Sequence, residues 1–305
     1  MTNERLAQYR RDGYTVFKGA YDATTMQAWR REQDRLESVS TGPYAQKTSF
    51  WFGNMLERAP HLMWQAVANP QVLDFAEQVV GPFIQLDNLT LAAFPSKAKD
   101  DPTAQQCGWH RDRWAHMPSG QYDRPLSMNA ICYLQDLTVE SGPLRVITGS
   151  HITPVTMNEK QRGEPHTDEE LLYLEAGDLV LTHNGLLHSG TPNTSGKKRY
   201  FFSVYYNISW LKCTDTFDGP NCRQLIAWAR SRNDHRALRL LGQVVTERKE
   251  ELISIFFVLL TLLVISSSLM YFAEHDDQPT VFPSIPATMW WSIVTLTTVG
   301  YGDIS

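Results

Sequence analysis

His110 and Asp112 stand two positions apart, so on an extended strand both side chains leave the same face. His188 brings the set to two imidazoles and one carboxylate. That donor set suits ferrous iron, because it holds one face of an octahedron and leaves three positions open for a cosubstrate and dioxygen. A His-x-Asp pair alone is a weak signal that ordinary surface turns also produce. The context downstream strengthens it: His188-Ser189-Gly190-Thr191-Pro192-Asn193 is followed by Arg199, eleven residues after the histidine. A hairpin there returns Arg199 to the neighbourhood of the metal. A guanidinium so placed grips a distal carboxylate with two parallel hydrogen bonds, which lysine does less well.

Other side chains compete for these roles. His183, five residues before His188, is a rival ligand, although it lacks the Ser-Gly-Thr-Pro-Asn turn and the step to Arg199. His116 and His151 read as surface or loop histidines, and Asp178 reads as a group that tightens a strand entry. Trp109 fits core packing as well as a pocket wall. Residues 97–106 and 113–124 flank the metal pair and are natural substrate covers. Asn88, upstream of the pair, is a candidate cosubstrate contact.

The elements that must hold these groups are legible as patterns. Residues 22–38 are helical, with Thr24 and Gln27 at capping-box spacing and Met26, Trp29 and Leu36 on one stripe. A second helical stretch covers 61–80, interrupted by Asn69-Pro70 and ended by Gly81-Pro82. Strands follow. Leu89, Leu91 and Ala93 alternate with other residues, and 128–135, 144–147 and 178–182 are short apolar runs. In 199–210, Tyr200, Phe202, Val204, Tyr206 and Ile208 share one face, with Arg199, Ser203 and Asn207 on the other. Helices first, then many short strands between Gly/Pro turns, predict a mainly β fold with flanking helices, either a sandwich or a jelly-roll barrel.

The 305 residues allow a core of about 200–250 residues and something smaller. A net charge of −5 gives no reason to expect nucleic acid as a partner. Cys107, Cys132, Cys213 and Cys222 show no CxxC spacing, which fits free thiols in a reducing compartment. The polar start, with Arg5, Arg10 and Arg11, does not read as a secretory signal.

Taken in order, Tyr9-Arg10-Arg11-Asp12-Gly13-Tyr14, Trp109-His110-Arg111-Asp112, the run from Ser141-Gly142-Pro143 to Gly149-Ser150-His151, Gly177-Asp178-Leu179-Val180, the His188 segment and Arg199 resemble the phytanoyl-CoA dioxygenase family of iron(II)/2-oxoglutarate enzymes. The resemblance covers about 5–235. It implies a double-stranded β-helix (jelly roll), iron held by His110, Asp112 and His188, and 2-oxoglutarate whose far carboxylate meets Arg199. It also implies oxidative decarboxylation of 2-oxoglutarate with dioxygen, giving succinate, carbon dioxide and a hydroxylated small-molecule substrate. Halogenating relatives vacate the carboxylate position, and here it is Asp112. Relatives often carry a hydroxyl two residues after the distal histidine; this chain has Gly190, so Thr191 is the expected substitute.

From 221 to 251 the chain turns Arg-rich, and residues 252–273 then carry no charged side chain. At 1.5 Å per residue those 22 residues span roughly 33 Å, enough to cross a bilayer. Basic residues before the run and Glu274, Asp276 and Asp277 after it place the front domain in the cytoplasm by the positive-inside rule. Thr298-Val299-Gly300-Tyr301-Gly302-Asp303 follows, and the stretch from about 238 resembles the pore module of tetrameric potassium channels. That resemblance implies an outer helix at 252–273, a re-entrant pore helix at 284–297 with Trp290 and Trp291 packing it, and a selectivity filter of Thr298, Val299, Gly300, Tyr301 and Gly302. The module stops at Ser305 without a second membrane helix, so potassium conduction is expected only if an inner helix and a tetramer complete it. The division expected is a dioxygenase domain at 1–240 and a truncated pore fragment at 241–305, joined within 230–245. The alternatives are a channel subunit with a regulatory front domain, and an artificial joint whose tail has no function.

Overall fold

The computed structural model describes residues 3–40, 50–98, 101, 107–112, 125–153, 155–231 and 249–296. The chain forms two compact units, Met1–Gln243 and Val244–Ser305.

Among the described residues of the first unit, ten strands form: β1 (Tyr14–Phe17), β2 (Phe50–Phe52), β3 (Ile84–Phe94), β4 (Cys107–His110), β5 (Ser127–Tyr133), β6 (Leu144–Val146), β7 (Glu170–Leu172), β8 (Leu179–His183), β9 (His188–Gly190) and β10 (Arg199–Ile208). They pair antiparallel throughout, in a six-stranded sheet ordered β1-β8-β5-β10-β3-β2 and a four-stranded sheet ordered β4-β9-β6-β7. This is the jelly roll, and its non-sequential strand neighbours are what bring distant motifs together.

The two faces of the large sheet have different partners. Phe202, Val204 and Tyr206 on β10 and Leu89 and Leu91 on β3 join a core that includes Trp29, Met63, Phe75 and Leu225. Those last four belong to α2 (Ala23–Val39), α4 (Pro60–Val67), α5 (Pro70–Val79) and α6 (Pro220–Ser231), so helices cover the outer face. Burying each such side chain contributes about 1.5–3 kcal/mol. A second core between the sheets takes Tyr14, Phe94, Ile131, Tyr133, Leu144, Val180 and Phe201. Period-two alternation sorts one strand, β10, into both cores.

Helix starts follow local chemistry. Asp22, not Thr24, caps α2: its Oδ1 accepts from the Thr25 backbone N–H at 2.9 Å and its Oδ2 from the Thr25 hydroxyl at 3.0 Å. The carboxylate sits two residues earlier than the capping-box spacing implied, and it satisfies two donors at once. Asn69 caps α5 through Gln71 N–H at 3.0 Å, with Pro70 as its first residue.

The second unit pairs α7 (Lys249–Glu274) with α8 (Ile285–Leu296). Residues Phe256–Glu274 of α7 are long and apolar enough to cross a membrane, and Phe256, Phe257, Val258, Leu269 and Phe272 are exposed along it. Its serines are internally satisfied: Ser266 and Ser267 donate to the Leu263 carbonyl and Ser268 to that of Val264. Ser267 and Ser292 also meet at 2.9 Å between the two helices, and Thr288, Ser292 and Val294 are the buried side of α8. Trp290 is half-exposed. The five filter positions, Thr298, Val299, Gly300, Tyr301 and Gly302, lie outside the described residues.

Candidate metal and cosubstrate site

His110 ends β4 and His188 opens β9, and the two are direct cross-strand partners. Antiparallel partners project to the same side, so the rings come together with centroids 4.3 Å apart. Asp112, two residues past the strand, brings its Oδ1 to 3.9 Å from His110 Nε2 and 3.7 Å from His188 Nε2. One ligand-type atom from each of the three lies within 4.8 Å of the others, the only such group among the described residues.

The outer bonds decide which ring nitrogen points inward. His110 Nδ1 lies 2.8 Å from the Gly108 carbonyl and His188 Nδ1 lies 3.0 Å from that of Leu186. A carbonyl only accepts, so each Nδ1 carries a proton, which leaves Nε2 as the ligand atom of the neutral ring. Asp112 is fixed the same way: Oδ1 accepts from the Tyr205 hydroxyl at 2.9 Å and Oδ2 from Asn129 Nδ2 at 3.1 Å. The donor set and its orientation fit a divalent ion with a preference for nitrogen and oxygen.

Burial disfavours charge on both imidazoles. At His188 it prevails, aided by neighbouring His110, and the pKa is lowered. At His110 burial is outweighed by the Cys107 thiol and Asp112, which lift it to about 9. A proton and a metal ion therefore compete for this position.

Arg199, the first residue of β10, lies on the same cavity as His110 and His188. Its Nη1 donates to the carbonyls of Ser141 (3.1 Å), Gly142 (2.7 Å) and Thr191 (2.8 Å). Its Nε is buried and without a partner, and no carboxylate pairs with it among the described residues. Burial lowers the guanidinium pKa, but an arginine stays charged. A buried cation with an idle N–H, cradled by three carbonyls, is a seat for an anion. Gly142 makes room for that cradle: its φ is +85°, and a Cβ there would collide with Arg199 Nη1. Gly142→Ala is therefore expected to destabilise the fold by about 1–3 kcal/mol and to weaken binding at Arg199. Thermal melting and 2-oxoglutarate titration would show both.

Several expectations need correcting. The Thr191 hydroxyl donates to the Pro143 carbonyl at 2.6 Å, so this residue serves Arg199 through its own carbonyl instead of offering a hydroxyl to a cosubstrate. Asn88 is also committed: Nδ2 donates to Asp215 at 2.7 Å and Oδ1 accepts from Thr90 at 2.7 Å. His183 is turned away from the metal group; its Nδ1 accepts from Gly185 N–H at 2.9 Å and its ring packs on His151. His151 is buried, not superficial, because its Nε2 contacts the Arg10 carbonyl at 3.0 Å.

Asp178 does tighten a strand entry, accepting from Gly19 and Glu175 N–H groups and pairing with Lys18. Trp109 is core, bonded to the Glu164 carbonyl and packed under the Arg145 guanidinium. His116, all of 113–124 and most of 97–106 fall outside the described residues. Asn129, Tyr205 and the Ser141 and Gly142 carbonyls escaped the sequence reading. Tyr205 was the most accessible of these, since it shares the alternation of Arg199 and Ser203 on β10.

A family model described as phytanoyl-CoA dioxygenase matches residues 9–201, and one described as ion transport protein matches residues 233–305. Over 69 residues the chain is 45% identical to potassium voltage-gated channel subfamily A member 6 of Homo sapiens, covering 23% of this chain and 13% of that protein. It is 46% identical over 69 residues to the Shaker-related potassium channel tsha2 of Oncorhynchus mykiss, covering 23% and 14%. The chain thus spans only about an eighth of the length of the curated relatives it matches. Among solved structures, HygX from Streptomyces hygroscopicus with nickel and 2-oxoglutarate bound aligns with a TM-score of 0.58 at 16% identity, covering 72% of this chain and 91% of that one. The non-heme alpha ketoglutarate dependent epimerase SnoN from nogalamycin biosynthesis aligns with a TM-score of 0.52 at 23% identity, covering 67% and 79%. At such identities the likeness concerns the fold.

Proposed function

The chain belongs to the phytanoyl-CoA dioxygenase family, and on that premise we propose that residues 1–240 form an iron(II)- and 2-oxoglutarate-dependent dioxygenase that hydroxylates a small organic substrate, releasing succinate and carbon dioxide. The observation that carries the reading is one cavity lined by two oriented imidazoles, with Asp112 close beside both, and by a buried guanidinium whose Nε has no partner.

His110, Asp112 and His188 would hold the metal. Ferrous iron held there would activate dioxygen, and the oxidative decarboxylation of 2-oxoglutarate would supply two of the electrons that reduce it. The chain's own groups do the positioning. Arg199 receives the far carboxylate of 2-oxoglutarate with the N–H groups its carbonyl cradle leaves over. Tyr205 and Asn129 hold Asp112 in place, while Phe94, Tyr133 and Phe201 keep water from that side of the cavity. Asp112 fills the third ligand position, which favours hydroxylation over halogenation.

The test is succinate formation from 2-oxoglutarate by the full chain in detergent with ferrous iron and oxygen. Turnover without added substrate is expected, and none in His110→Ala; equal turnover in that variant would refute the assignment. Tyr205→Phe leaves the ring in place but removes the bond to Asp112. It should lower metal affinity about 10–100-fold, measured by calorimetric titration with nickel.

A second reading rests on the channel match at residues 233–305. In it α7 anchors the chain in a membrane, the enzyme domain faces the cytoplasm, and the tail joins a potassium pore. Potassium flux through bilayers containing the full chain, altered by 2-oxoglutarate, would favour it.

A further inference from the structure

The wall of the cavity formed by β10 and β5 carries polar atoms that have no partner within the chain. Ser203 lines the cavity from β10, and its Oγ is buried without a hydrogen-bond partner. Asn129 lines it from β5. Its Nδ2 must face the Asp112 carboxylate, which only accepts, so the amide cannot be flipped and its Oδ1 remains a buried, unpaired acceptor. One step along the same face, Asn207 and Ser127 are cross-strand partners, and neither side chain has a partner. Buried polar atoms left so cost about 1–3 kcal/mol each, so Ser203 Oγ and Asn129 Oδ1, the two that line the cavity, call for hydrogen-bonding groups from a ligand.

The mouth has a different character. Trp51 on edge strand β2 lies opposite Ala92 in the register, which puts its indole on the cavity side. It packs edge-on against Phe201 at 5.2 Å yet stays 47% exposed, an aromatic surface left half uncovered. Arg199 is the only arginine or lysine lining the cavity among the described residues, and the proposed cosubstrate takes it. A second anion would find no further arginine or lysine among the described lining residues.

From these three features, and resting on the dioxygenase reading, we infer that the primary substrate is a neutral, hydroxyl-bearing ring compound of the glycoside kind. Its ring lies against Trp51, and its hydroxyls donate to Asn129 Oδ1 and exchange hydrogen bonds with Ser203. Aromatic contact plus a few placed polar groups is how small-molecule sites set orientation. The phosphates of a coenzyme A thioester would find no arginine or lysine beyond Arg199 among the described lining residues.

The test uses the full chain in detergent, loaded with nickel and 2-oxoglutarate under nitrogen. Phenyl β-glucoside serves as the neutral probe and decanoyl-coenzyme A as the anionic one, both followed by calorimetry. The glucoside is expected to bind the more tightly. Ser203→Ala and Trp51→Ala should each weaken it about ten-fold, the loss of roughly one good contact, with Trp51→Phe recovering most of its share. Tighter binding of the thioester overturns the inference. So does a glucoside affinity unmoved by both variants, or no glucoside binding in samples that do bind 2-oxoglutarate. Failure of 2-oxoglutarate itself to bind would instead remove the dioxygenase reading on which the inference stands.

Discussion

His188→Ala is expected to abolish both metal loading and succinate formation. The wild-type ring is buried at 4% exposure, anchored by Leu186 O and directed at Asp112 Oδ1 from 3.7 Å. Without it, one imidazole and one carboxylate remain, and two donors do not hold a face of an octahedron. Losing merely an outer-shell partner costs about 10–100-fold in affinity, so loss of a ligand must exceed that range. Metal content after gel filtration and single-turnover succinate yield would record it. The matched control is His183→Ala, five residues upstream. Its Nδ1 accepts from Gly185 instead of facing the metal group, so this variant should lose stability but keep its metal. Equal metal loss in both variants would mean that the centre had been placed wrongly.

Arg199→Lys should raise the KM for 2-oxoglutarate about 10–100-fold while metal content is unchanged. The arginine divides its work: Nη1 serves the three carbonyls, and the remaining N–H groups are left for a carboxylate. A lysine ammonium is a single point that cannot occupy the cradle and reach the anion together. One hydrogen bond to a charged group contributes about 1.5–3 kcal/mol, which sets the stated range. Binding of 2-oxoglutarate by calorimetry separates this from a general loss of fold, which melting would reveal. An unchanged 2-oxoglutarate affinity in a well-folded Arg199→Lys protein would show that the far carboxylate is held elsewhere.

What could be read from the chain alone is local in origin. The two-position step from His110 to Asp112, the eleven-residue step to Arg199 and the alternation along β10 are all short-range periodicities, and backbone geometry translates them directly into faces. The apolar run within α7 is legible for the same reason, since a helix long enough to span a bilayer is one continuous stretch. Tertiary structure decided everything that depends on which strands become neighbours. Cross-strand register places His188, not His183, opposite His110. The order β5-β10 sets Asn129 beside Tyr205, so that together they hold Asp112. It likewise gave Asn88 to Asp215 and the Thr191 hydroxyl to Pro143, partners more than forty residues away that no spacing rule encodes. A polar side chain takes whichever donor or acceptor folding brings within about 3 Å, and across a jelly roll that choice is made by topology, not by sequence distance.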